Sequence, residues 1–112
     1  MNPQKEWQIF LRRIQAEFAI QKYSIYAGDG VKMKHRHGTE LQELMLERYL
    51  SYETTVILTD QQETVLVTRF RADGVLYLVA LYTSENGLTE NETEYIMNDL
   101  HQLCKKLNGG KE

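Results

Sequence analysis

The sequence predicts an α+β domain: an antiparallel five-stranded sheet with covering helices, in the order α-β-β-α-β-β-β-α. Three observations predict it. The run 54–82 reads as three apolar segments, TTVILTD, QQETVLVTRF and RADGVLYLVALY, each rich in β-branched and aromatic residues and bounded by polar or glycine-containing turns. That is the pattern of a three-stranded meander, and Asp73-Gly74 supplies the dipeptide that reverses the chain with positive φ. Stretches before, between and after the strands carry apolar residues at helical spacing. Finally, Gly28-Asp29-Gly30 separates YSIYA from VKMKHRHG, which reads as a shorter hairpin.

The first helix is expected from Pro3, a good first helical residue, to about residue 22. Trp7, Phe10, Leu11, Ile14 and Phe18 gather on one face, while Ile9, Ala16 and Ile20, with Arg13 among them, form a weaker outer stripe. In the hairpin, alternation puts Val31, Met33, His35 and His37 on one face and Lys32, Lys34 and Arg36 on the other. Thr39-x-x-Gln42 is a capping box that would open the second helix. There Leu41, Leu44, Met45, Tyr49 and Tyr52 share a side with Arg48, and Leu46 and Leu50 fall on another, a spare apolar edge. Thr89-x-x-Glu92 is a second capping box, with Glu90, Glu92 and Glu94 at the positive end of the helix dipole. Ile96, Leu100, Leu103 and Leu107 make one stripe flanked by Met97 and Cys104, and Asn108-Gly109-Gly110 ends the helix.

The 112 residues make one domain, 1–112, and a chain of this size buries roughly two-thirds of its unfolded surface without metal or disulfide staples. A composition of 42% hydrophobic and 26% charged residues argues against disorder. A net charge of −3 and a pI near 5.6 disfavour a dedicated nucleic-acid binder. The single cysteine, Cys104, forms no internal disulfide and points to a reducing compartment. With no apolar signal core and no membrane-length segment, the expected location is cytoplasmic, away from membranes.

His35-x-His37 is the best candidate for a metal site: imidazoles at i and i+2 on one strand face could hold one transition metal, with His101 as a third nitrogen. No Cys or carboxylate stands at ligand spacing, which favours a solvated or partner-contacting pair. Cys104 sits on the packed stripe and reads as core. The acids Glu85, Glu90, Glu92, Glu94 and Asp99 read mostly as a solvated helix face. Ser24, Ser51 and Ser84 lack the strained setting of a hydrolase nucleophile, and Gly28-Asp29-Gly30 is a turn rather than a phosphate loop. Lys32, Lys34, Arg36, Arg12, Arg13 and Lys22 with Tyr23 and Tyr26 could contact a single strand of nucleic acid, although a solvated strand face explains them more simply. The expectation is a protein without catalytic, cofactor-binding or metal-ligating residues, and without a cofactor.

The order of elements resembles the roadblock / dynein light chain family, whose profilin-like fold runs helix, hairpin, helix, three-stranded meander, helix. The closest local likeness is TVILTDQQETVLVTRFRADGVLYLVALYTSENGLTENETEYIMNDLHQL, where the meander leads through Asn86-Gly87 into the final amphipathic helix. The polar first hairpin departs from the family's strong apolar first strand and leaves its pairing open. The resemblance implies a non-enzymatic homodimeric regulatory or scaffolding module acting by protein–protein contact, with a small GTPase or other NTPase as partner. Second helices and third strands would meet across the two-fold axis. The residues themselves point the same way. Leu46 and Leu50 offer the spare edge, and Val56 and Leu58 lie on a strand with few charged gatekeepers, which invites another chain to pair. The outer stripe of Ile9, Arg13 and Ile20 would then be free for a second protein. The alternative is a small-molecule sensor of PAS or GAF type, because a curved sheet under helices can enclose a pocket lined by tyrosines such as Tyr23, Tyr26 and Tyr77. A weak nucleic-acid binder is the second alternative.

Overall fold

The computed structural model describes residues 2–59, 61–84 and 86–109; Asp60 of the first turn, Glu85 and Gly110 lie outside the described residues. The elements are α1 (Pro3–Glu17), β1 (Lys22–Gly28), β2 (Met33–Gly38), α2 (Glu43–Leu50), β3 (Thr55–Leu58), β4 (Thr64–Ala72), β5 (Val75–Thr83) and α3 (Glu90–Leu107). All strand pairs are antiparallel, in the spatial order β2-β1-β5-β4-β3. The expected α+β order and five-stranded sheet are both present.

β5 lies at the centre of the sheet, which explains its nearly unbroken apolar run: both of its faces are covered. Val79 and Leu81 face α1 and α3 in a core with Trp7, Phe10, Leu11, Ile14, Ile96, Leu100 and Leu103. Leu78, Ala80 and Tyr82 face α2, beside Tyr26, Tyr49, Val65 and Val67. Two helices therefore cover one side of the sheet and a single short helix covers the other. At the β4–β5 turn, Asp73 and Gly74 both have positive φ, as a tight hairpin with right-handed twist requires. The Thr89–Glu92 capping box forms with both of its hydrogen bonds, and the predicted stripe of α3 is buried.

Several expectations are corrected. α1 stops at Glu17, short of residue 22, because Phe18 turns extended and the Gln21 N–H reaches the Tyr82 carbonyl at 2.8 Å. Competition from the central strand ends the helix. Thr39 does not cap α2, which begins at Glu43 after Gln42 with no side-chain cap; the Thr39 N–H instead donates to Tyr23 O at 2.8 Å. β1, which reads as weak, is an inner strand paired on both sides, with Ser24 to Ala27 all buried. Its polar members are satisfied locally: Ser24 Oγ donates to Thr39 O at 2.6 Å, and the Leu41 N–H donates to the Tyr26 hydroxyl at 2.7 Å.

The hairpin also contains a β-bulge. Ile25 pairs with His37 while Tyr26 pairs with His35, so Arg36 is an extra residue and the alternation of β2 breaks there. The regular alternation that would present His35 and His37 as an i, i+2 pair is therefore interrupted between them. His37 lies beside Trp7 on the α1 side, and His35 packs edge-on against Tyr26, whose face looks toward α2. Among the described residues no group of three or more His, Cys, Asp or Glu is placed to hold a metal ion.

Candidate ligand cleft on the α2 face

α2 has eight residues, about 12 Å of helix, whereas β5 beneath it has nine extended residues. The helix cannot cover the strand end to end. Toward the end of β5 that carries Tyr82, a cleft of about 340 Å³ opens between the α2 N-terminus, the segment leading into it and the β3–β4 turn. This lies within the size range of small-molecule sites.

Alternation along β5 brings Tyr82 to the cleft floor, and Tyr49 descends from α2 to meet it, the two hydroxyls 3.2 Å apart. One phenol must donate to the other, which leaves the acceptor's own hydrogen available to a third oxygen or nitrogen. Burial first, and the Tyr49 hydrogen bond second, push the Tyr82 phenol well above the usual tyrosine range, so it serves as a neutral hydrogen-bonding group. Lys22, at the start of β1, places its Nζ 4.8 Å from the centre of the Tyr82 ring and 3.4 Å from Glu63 Oε1. Leu41 and Met45 supply an apolar wall, and Gln42 and Gln61 add amides. A few converging polar groups on a partly apolar surface can orient a small polar molecule.

The residues expected at interfaces are dispersed. Leu46 and Leu50 are half-buried against the α2-face cluster instead of forming a spare edge, and Leu44, at 80% exposed, is the helix's outward apolar residue. Val56 and Leu58 are exposed, at 56% and 65%, on the edge strand β3, with Ile57 turned inward. Ile9 is exposed, and Arg13 is committed to Asp99 of α3 at 3.1 Å. Ile20 is not on an outer stripe: it lies beyond the end of α1, is 7% exposed and belongs to the core.

The remaining candidates resolve simply. Cys104 Sγ donates to the Arg71 carbonyl at 3.4 Å, and burial raises its thiol, which suits a packed residue. Glu92 completes the helix cap, and His101 is exposed on α3. Asp29 Oδ1 accepts from the Lys32 and Val31 N–H groups at 2.7 and 2.8 Å, which holds its carboxyl below the usual carboxylate range and makes the hairpin turn. Tyr26 is buried, so it offers no ring for stacking on a nucleobase.

The tyrosines that the sequence suggested for a pocket, Tyr23, Tyr26 and Tyr77, are not those of this cleft. Tyr23 and Tyr77 pack toward the α1–α3 core and Tyr26 is covered, while Tyr49 and Tyr82 line the cleft. The period-two spacing of Leu78, Ala80 and Tyr82 was the available signal.

No protein-family model matches the chain, and no curated protein matches it. Among solved structures, it is similar to the crystal structure of the GAF domain/HD domain protein from Geobacter sulfurreducens, with a TM-score of 0.70 and 10% sequence identity, over 97% of this chain and 93% of that one. This corrects the roadblock / dynein light chain resemblance, which rested on an order of elements that does not single out one family. No helix among the described residues is long and apolar enough to cross a membrane. The chain has a GAF-like α+β fold, the alternative that the sequence left open.

Proposed function

We propose that the protein is a small-molecule-sensing or regulatory domain of GAF-like type, with its ligand in the α2-face cleft. The observation that carries this reading is the cleft floor, where the paired Tyr49 and Tyr82 hydroxyls leave one hydrogen to give beside the Lys22–Glu63 pair. A sensing element must respond to its ligand, and α2 is suited to that. It is short, has no side-chain cap at its start and is joined to the sheet chiefly through half-buried contacts. A molecule bridging Tyr82 to Leu41 and Met45 would brace the helix and the segment before it, favouring one arrangement by its extra affinity for that state.

The test is retention of a small molecule. The protein is incubated with a metabolite extract, freed of unbound compounds by gel filtration and analysed by mass spectrometry after denaturation. One compound should be enriched stoichiometrically on the native chain and lost from Tyr82→Phe. A chain that retains nothing, or a compound kept equally by the variant, contradicts the placement.

A second reading, self-association along β3, draws on a specific observation: Val56 and Leu58 are exposed on an edge strand. Light scattering at micromolar concentration would give twice the chain mass, reduced to one by Leu58→Lys. A monomeric native chain removes this reading and leaves the sensing one intact.

A further inference from the structure

A larger cavity, about 470 Å³, lies away from α2, between the first turn of α1 and the β1–β2 hairpin. Its composition is unlike that of the α2 cleft. His35, Arg36 and His37 all border it, and among the described residues no carboxylate side chain does. In a regular strand, Arg36 would point away from both histidines. The bulge breaks that alternation and lets three successive basic side chains surround one space.

Among the described residues no carboxylate forms an ion pair with these groups. Arg36 is exposed and has no ion pair or hydrogen bond among the described residues. His35 gives its Nε2 to the Gly38 carbonyl at 2.8 Å, which fixes its ring at the rim. His37 is held below its ordinary pKa by burial and then by the positive charges of His35 and Arg36, as expected where cationic groups crowd without a counter-ion. The α1 N-terminus borders the same space, and although Asn2 already caps it, its dipole adds positive potential. Trp7 also borders the cavity, and its indole N–H is buried without an acceptor. Half-buried Val75 and Tyr77 add an apolar surface to the same lining.

We infer that this cavity binds a small amphipathic carboxylate, its charged end on Arg36 and the bulge histidines and its apolar body on Val75 and Tyr77. A free guanidinium presents a fork matched to a carboxylate. The apolar surface in the same lining favours an organic acid over an inorganic anion. This site is separate from the α2 cleft and does not depend on the function proposed for it.

Benzoate is the probe, titrated by calorimetry and by the ¹⁵N–¹H resonance of the indole of Trp7, the chain's one tryptophan. Saturable binding with movement of that resonance is expected, with sulfate at matched ionic strength at least about tenfold weaker. Arg36→Gln should weaken benzoate by about tenfold or more. Lys34→Gln removes the same charge from the same strand, outside the cavity lining, and should change the affinity by less than about twofold. Tyr82→Phe should leave benzoate binding unchanged even where it abolishes binding in the α2 cleft. No saturable binding at millimolar benzoate overturns the inference. Equal losses from the Lys34 and Arg36 variants, or sulfate as strong as benzoate, reduce it to general attraction by a basic edge and overturn it as well.

Discussion

Gly38 shows how much one residue decides in this fold. It ends β2 with φ of +79°, and a Cβ there would stand 2.0 Å from the Tyr23 carbonyl oxygen. That oxygen also accepts the Thr39 N–H, so the close approach ties the hairpin to the segment leading toward α2. Gly38→Ala should therefore cost about 2 kcal/mol or more, from left-handed strain together with a backbone clash, measured by urea denaturation. A loss near zero would mean that the hairpin ends differently. His37 gives a pH signature. Its folded pKa is depressed, so the unfolded chain binds the proton more readily. Its neutral form is fully compatible with folding above about pH 6.5, and stability falls as pH drops from there through the lower folded value. The decline in melting temperature between pH 7.5 and 5 should be shallower in His37→Gln than in the native chain. Neither feature could be read beforehand: Gly38 looks like any turn glycine, and a bulge leaves no mark in a binary apolar pattern. Ile20 misleads for a related reason, since helical spacing was extended past the point where the chain leaves the helix.

At the scale of elements, legibility followed how local the determining forces are. α3 was readable almost to its ends because its cap and stripe are written within its own residues, and the Thr89–Glu92 box forms as spelled. Thr89→Ala should lower stability by about 1 kcal/mol, seen as a reduced denaturation midpoint with an unchanged slope. The β4–β5 hairpin was equally legible through Asp73-Gly74. α2 was not. An equally good capping box at Thr39 is overridden because the Thr39 N–H is drawn to β1, so the helix starts three residues later, with Gln42 at its N-cap. The first hairpin looked weak because its strands are polar. β1 is nonetheless an inner strand, held by pairing on both edges and by Ser24 and Tyr26 bonding to the chain before α2.

Across the whole molecule, the α+β class and the order of elements followed from pattern alone, whereas the particular fold did not. Helix, hairpin, helix, meander, helix describes more than one family, and superposition on a GAF domain settles the fold where element order could not. The site was the least legible part, because it arises from a mismatch of lengths. A short α2 leaves the Tyr82 end of the sheet open, and the tyrosines that meet there come from residues 33 apart. That geometry leads to the central claim, that a small molecule fills this cleft and steadies α2. The most direct measurement compares melting temperatures of the native chain and Met45→Trp, with and without the compound the native chain retains. The larger side chain is placed to fill the cleft from its apolar wall. At a hundredfold excess over its dissociation constant, the compound should stabilise the native chain by about 2.7 kcal/mol, raising its melting temperature by several degrees, and should leave the variant unmoved. An equal rise in both proteins would place the ligand elsewhere and contradict the account.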